Sequence, residues 1–161
     1  MTYIVINADG ACLGNPGPGG YAASVSRSSG GIETKRSIQK GAIHATTNNR
    51  MELLAAIAAL QCIKRDEAAP ITVRSDSQYL IKGMNEWLPR WRSDNWRGAS
   101  GMLIKNDDLW RRLVDLSKGL QIVWEWIKGH SGDQGNEEVD ALASEQAQSA
   151  LAALNSNRTK G

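Results

Sequence analysis

Four carboxylates stand apart by position: Asp9, Glu52, Asp76 and Asp140 fall at the boundaries of expected elements rather than along exposed helical faces. Asp9 closes an apolar run at residues 3–8, and Asp76 closes another at 71–75. An acid at the end of an apolar strand has to be solvated or liganded. If those two strands are parallel neighbours, both acids emerge at the carboxyl edge, where open α/β sheets bind their ligands. Carboxylates gathered there repel one another, and a divalent cation relieves the repulsion. Hard oxygen donors, with only two His and two Cys in the chain, point to Mg²⁺ or Mn²⁺ rather than zinc. Glu52 and Asp140 also have plainer explanations, since both are expected in the first turn of a helix. Glu52 stands three residues after Asn49, a capping-box spacing, and Asp140 with Glu137 and Glu138 would meet a favourable helix dipole.

The elements that must position these acids follow from patterning. Residues 3–8 read as a buried strand, and residues 21–27 and 32–38 as two more around a Ser-Ser-Gly-Gly turn, giving a meander. After Thr46-Thr47-Asn48-Asn49, Leu53, Ile57, Leu60 and Ile63 recur at helical spacing. A short strand is expected at 71–75, a helix from Ser77 that Pro89 interrupts, a helix at 106–118 and a strand at 120–127. A last helix from about Glu137 places Val139, Leu142, Ala143, Ala147, Ala150, Leu151 and Leu154 on one face. Strands first and αβ alternation afterwards imply an α/β fold with a mixed sheet flanked by helices.

The 161 residues suit one domain, expected over 1–154 with a short flexible tail at 155–161. At 41% hydrophobic residues the composition is that of an ordinary globular chain, and no run approaches the ~20 apolar residues of a membrane span. The first residues do not read as a signal peptide, and Cys12 and Cys62 offer no disulfide framework, so a cytoplasmic setting is expected. Net charge is only +2, although residues 82–128 carry nine Lys/Arg against six Asp/Glu. Such an excess is ordinarily a solvated face.

Two segments need a choice between readings. Gly17-Pro18-Gly19-Gly20-Tyr21-Ala22 formally matches a dinucleotide fingerprint, but a strand follows it where the fingerprint requires a helix. Hairpin geometry explains these glycines better. Trp87, Trp91 and Trp96 are interleaved with Arg90, Arg92 and Arg97, a composition suited to a nucleic-acid backbone groove. The four-residue spacing of Trp87 and Trp91 also suits inward packing, and at least one of these rings is expected in the core.

The runs Asp9-Gly10-Ala11-Cys12-Leu13-Gly14-Asn15-Pro16-Gly17-Pro18-Gly19-Gly20-Tyr21, Thr46-Thr47-Asn48-Asn49-Arg50-Met51-Glu52-Leu53, Ser75-Asp76-Ser77-Gln78-Tyr79 and Trp124-Glu125-Trp126-Ile127-Lys128-Gly129-His130-Ser131-Gly132, continuing through Asn136-Glu137 to Asp140, closely resemble the bacterial type 1 ribonuclease H family. The resemblance extends in order over nearly the whole chain. It implies a ribonuclease H-like fold with a mixed five-stranded sheet whose second strand is antiparallel. It also implies an endonuclease that hydrolyses the RNA strand of RNA/DNA hybrids, leaving 3′-hydroxyl and 5′-phosphate ends. By that resemblance Asp9, Glu52, Asp76 and Asp140 would hold two Mg²⁺ ions once substrate is bound, with Mn²⁺ able to substitute. His130 would assist proton transfer or product departure, and Glu137 would support the acids from behind. Cys12, Asn15, Asn48, Asn49 and Gln78 would line the minor groove, where 2′-hydroxyls mark RNA. Thr47 and Asn106 would grip a DNA phosphate, and Trp87, Arg90, Trp91, Arg92, Trp96, Arg97 and Lys105 would belong to a basic protrusion along the hybrid.

The chain departs from the family pattern at four places. Asp94 dilutes the protrusion's positive charge, Ala45 stands where many relatives have arginine, Ala8 and Ala11 flank Asp9 in place of Thr and Ser, and the 26–41 stretch is long. The expected partner is an RNA/DNA hybrid, with no membrane and a monomeric enzyme. The alternatives are a catalytically weak hybrid-binding module and a DNA-cutting nuclease of the same fold.

Overall fold

The computed structural model describes residues 1–159. Three strands, β1 (Thr2–Cys12), β2 (Gly17–Ser29) and β3 (Ile32–Thr46), form an antiparallel meander. β4 (Ile71–Ser75) pairs parallel with β1, and β5 (Ile122–Trp126) pairs parallel with β4. The sheet order is β3-β2-β1-β4-β5, the mixed five-stranded arrangement with an antiparallel second strand. β2 and β3 run well beyond the spans read from sequence. β3 is mostly exposed and lacks an apolar face, so its length is set by pairing with β2 rather than by its own alternation.

Helices cover both faces. α1 (Asn48–Leu60) buries Leu53, Ala56, Ile57 and Leu60 in one core with Ile4, Ile6, Ala8, Ile71 and Val73, each large aliphatic side chain contributing roughly 1.5–3 kcal/mol by its burial. α5 (Gln134–Thr159) packs Val139 and Ala143 against Ala22 on the opposite face. Gly20 permits that approach, because a Cβ there would lie 2.4 Å from the Ala143 carbonyl oxygen.

Local chemistry shifts several boundaries. Thr47 caps α1 by accepting the Arg50 N–H, so the Asn49–Glu52 capping box does not form and Glu52 lies beyond the first turn. Ile63 falls just past the helix, although it still packs on the core. α5 begins at Gln134, because Asp133 accepts the Asn136 N–H there, and Asp140 accordingly sits in the second turn. The helix also continues through Thr159, past the residue at which the tail was expected to begin, and residues 160–161 lie outside the described residues.

Pro89 does not interrupt the helical path. α2 (Gln78–Lys82) runs into a π-helical turn (Gly83–Trp87) and then into α3 (Leu88–Ser93), where Pro89 lies in the first turn and its missing N–H costs little. The widened turn lies over Trp110, a fully buried residue of α4 (Asp107–Ser117), and only glycine fits at position 83, where a Cβ would be 2.1 Å from the indole.

Candidate active site

Parallel pairing of β1 and β4 brings Asp9 and Asp76 to one edge of the sheet, and α1 delivers Glu52 beside them. One carboxylate oxygen from each of the three lies within 4.8 Å of the others. Asp9 and Glu52 are buried, at 3% and 4% exposure, and Asp76 is half-buried. Two glycines make the convergence possible. A Cβ on Gly10 would come within 2.5 Å of the Met51–Glu52 backbone, and one on Gly129 would come within 2.7 Å of Asp76 Oδ2.

The electrostatics are those of crowded, buried carboxyls with no cationic side chain among the groups that shift them. Burial, and next the charge of Asp76, pushes the Asp9 carboxyl up to about 8, although Gly10 N–H donates to its Oδ1 at 2.9 Å. Burial and then the charge of Asp9 hold Glu52 well above the ordinary range. Asp140 stands outside the three-oxygen cluster but close enough to Asp9 for a proton shared between them to favour the neutral acid. Glu52 Oε2 is buried without a hydrogen-bond partner, a state that a native fold rarely leaves uncompensated. A hard divalent cation fits this donor set: it would supply the missing partner and its charge would oppose both upward shifts.

The other expected site residues fall into three groups. His130 is exposed on the turn after β5, in the left-handed region at φ 55°, and Glu137 is exposed in the first turn of α5. Around the glycine-rich loop, Asn15 Oδ1 accepts the Asn48 N–H at 2.9 Å, and Cys12 Sγ donates to the carbonyls of Gly17 and Thr46. This places Cys12, Asn15, Asn48 and Asn49 together beside the start of α1. Gln78 is exposed at the start of α2, two residues after Asp76, where it lines a small cavity with Lys82, Glu86 and Trp126.

Thr47 and Asn106 are linked through Arg50, which sequence reasoning passed over. Its N–H is capped by Thr47 and its guanidinium donates to Asn106 Oδ1 at 3.1 Å while forking onto Asp108. Asn106 Nδ2 in turn donates to the Tyr79 hydroxyl, which also accepts the Trp110 indole N–H. The signal for this network is an arginine directly after the Thr-Thr-Asn-Asn run facing acids at the next long helix N-terminus, and it needs the fold to be read.

The protrusion divides. Trp87, Arg90, Trp91 and Arg97 line a cavity of about 470 Å³ together with Glu86 and Asp94. Arg92 and Lys105 are exposed and are not among its walls. Trp91 and Trp96 pack against the core, and Trp91 tilts onto Trp110 at 5.0 Å, as expected of at least one ring.

The ribonuclease H family model matches residues 1–148. The chain is 50% identical over 153 residues to the ribonuclease H of Paracidovorax citrulli, covering 94% of this chain and 98% of that one. It is 47% identical over 154 residues to the ribonuclease H of Polaromonas naphthalenivorans, covering 94% and 91%. Among solved structures, LC9-RNase H1, a type 1 enzyme with the type 2 active-site motif, superposes with a TM-score of 0.82 at 32% identity, over 93% of this chain and 74% of that one. LC11-RNase H1, solved in complex with an RNA/DNA hybrid, shares the fold at a TM-score of 0.67 and 23% identity, over 92% and 99%. Fold and carboxylate cluster together define a nuclease, a hydrolase whose acidic site is formed at the end of a mixed sheet. The chain belongs to the ribonuclease H family.

Proposed function

We propose that this protein is an endonuclease that cleaves the RNA strand of RNA/DNA hybrids and leaves 3′-hydroxyl and 5′-phosphate ends. The observation that carries the reading is the convergence of Asp9, Glu52 and Asp76, with one buried Glu52 oxygen lacking any partner. Asp9, Glu52, Asp76 and Asp140 would hold two Mg²⁺ ions, with Mn²⁺ as a substitute; when bound, such ions supply an activated water and neutralise charge on the leaving oxygen. His130 assists proton transfer at the departing 3′ oxygen from its exposed turn, and Glu137 supports that side of the site. Cys12, Asn15, Asn48, Asn49 and Gln78 face the minor groove and sense 2′-hydroxyls. Thr47 and Asn106, held in register by Arg50, receive a DNA phosphate near the start of α1, where backbone N–H groups also favour an anion. Both cysteines are free, which suits a reducing, cytoplasmic setting.

Labelled RNA/DNA hybrid, double-stranded RNA and double-stranded DNA, each incubated with Mg²⁺, Mn²⁺ or EDTA, test this reading. Cleavage is expected for the hybrid alone and with either metal. Cutting of double-stranded DNA would favour the DNA nuclease, and hybrid binding without cleavage would favour the binding module.

A further inference from the structure

Two residues before each strand-end acid, and on the same side of the sheet, stand Asn7 and Arg74. The parallel register of β1 and β4 sets them opposite one another. Arg74 Nη1 donates to Asn7 Oδ1 at 3.0 Å. The same guanidinium forks onto Asp133, with Nη2 to Oδ2 at 2.5 Å and Nη1 to Oδ1 at 3.3 Å. Asp133 in turn starts α5. Its Oδ1 accepts the Asn136 N–H at 2.9 Å, and its carbonyl accepts the Glu137 N–H at 2.9 Å. Gly135 closes the contact, since a Cβ there would lie 2.7 Å from the Asn7 side chain.

The two ionic side chains are only 23% and 25% exposed, so solvent and salt weaken this pair less than a surface one. Asp133 follows His130 by three residues and precedes Asp140 by seven, about two helical turns. The network therefore ties the start of α5, which lies between the histidine turn and the helical acid, to the strands that carry Asp9 and Asp76.

We propose that the Arg74–Asp133 pair is a positioning device that holds Asp140 and the His130 turn in register with Asp9 and Asp76. It rests on the nuclease reading above for the chemistry it serves. An ion pair that merely stabilised the fold would raise the melting temperature without altering turnover. A positioning pair acts on kcat, because a misplacement of about 1 Å can cost on the order of 100-fold.

The test uses Arg74→Met, Asp133→Ala and Asp133→Asn in the full chain. Two quantities are read: steady-state hybrid cleavage at saturating Mg²⁺, and metal-free amide hydrogen exchange at Asn136 and Glu137. Arg74→Met and Asp133→Ala are expected to lower kcat about 10- to 100-fold with KM held within about twofold. Exchange at the two amides should rise at least about tenfold in Asp133→Ala. Asp133→Asn keeps a cap acceptor and loses the charge, so it should restore most of the exchange protection and only part of kcat. Folded variants with parental kcat and a lowered melting temperature would make the pair structural and overturn the proposal, as would a change confined to KM. If the parent protein fails to cleave hybrid, the nuclease reading falls, while unchanged exchange in Asp133→Ala would separately remove the tether.

Discussion

The carboxylate floor and the Trp/Arg protrusion treat charge in opposite ways. On the floor, acids of one sign are driven together under burial, and no cationic side chain is among the causes that shift Asp9 or Glu52. On the protrusion the signs alternate and are partly matched: Arg90 lies 3.7 Å from Asp94, while Arg97 donates to the neutral Gly101 carbonyl at 2.9 Å. Rigidity differs as well. The floor is fixed by strand ends and by close approaches that only glycine allows, whereas the protrusion rests on tryptophans packed at tilted angles above α4. The floor thus stores a demand for an external cation, and the protrusion offers an anionic partner only modest attraction.

Removing one floor acid should break this contrast most completely. Asp9→Asn is expected to reduce cleavage to background while folding and hybrid binding persist, because the amide keeps the shape and loses the charge. The same change should raise metal-free stability. Folded Asp9 stays protonated up to about pH 8, whereas the unfolded carboxyl ionises near 3.8, so unfolding releases a proton between those values. In EDTA the parent should therefore lose stability as pH rises from about 4 to about 8, and Asp9→Asn should flatten the slope. Each kcal/mol recovered is about 2–4 °C in Tm for a chain of this size. A parental slope in the variant would show that Asp9 is ionised throughout.

His130→Ala comes next, with a slowing of about 10²- to 10⁴-fold at saturating substrate, the usual range for a general acid–base group. An unchanged rate would leave the turn without a chemical role. Gly129→Ala should cost less, about tenfold in kcat, because its Cβ would press on Asp76 Oδ2 and shift one acid without removing it. Retained turnover, with a crystal structure showing Asp76 undisplaced, would mean that the floor has more slack than its packing suggests.

The floor was largely legible before the fold was known. Asp9 and Asp76 could be placed because each ends a short apolar run, and β4 was read residue for residue because Pro70 and Ser-Asp-Ser bound it. Glu52 stands out by its place near a helix start, and the capping box that offers it a plainer explanation does not form: Thr47 is the cap, and Glu52 is free to reach Asp9. What escaped notice depends on contacts distant in sequence. The π-turn follows from Trp110 lying against Gly83, the hold on the Asp133 cap from Arg74, and the Arg50 link from a helix that begins far down the chain. Local periodicity carries none of these.

The protrusion yields the smallest effects and the finest test of the contrast. Among the described residues Arg92 has no ion-pair partner, and Arg97 faces the tryptophan-lined cavity with one N–H on the Gly101 carbonyl, so both keep donors for phosphate. Each phosphate neutralised contributes about −0.9 to the slope of log affinity against log salt on B-form DNA. Replacing Arg92 and Arg97 with Ala should flatten the slope by roughly one to two such contributions and raise KM several-fold, while kcat, set on the floor, moves by less than about twofold. Asp94→Lys works in the other direction: it releases Arg90 from its 3.7 Å partner and adds a cation beside it, so binding should tighten and the slope steepen. The measurement is hybrid affinity across a salt series for parent and both variants. If all three share one slope, the arginines are solvated charges, the tryptophans serve the core, and the protrusion takes no part in holding the backbone.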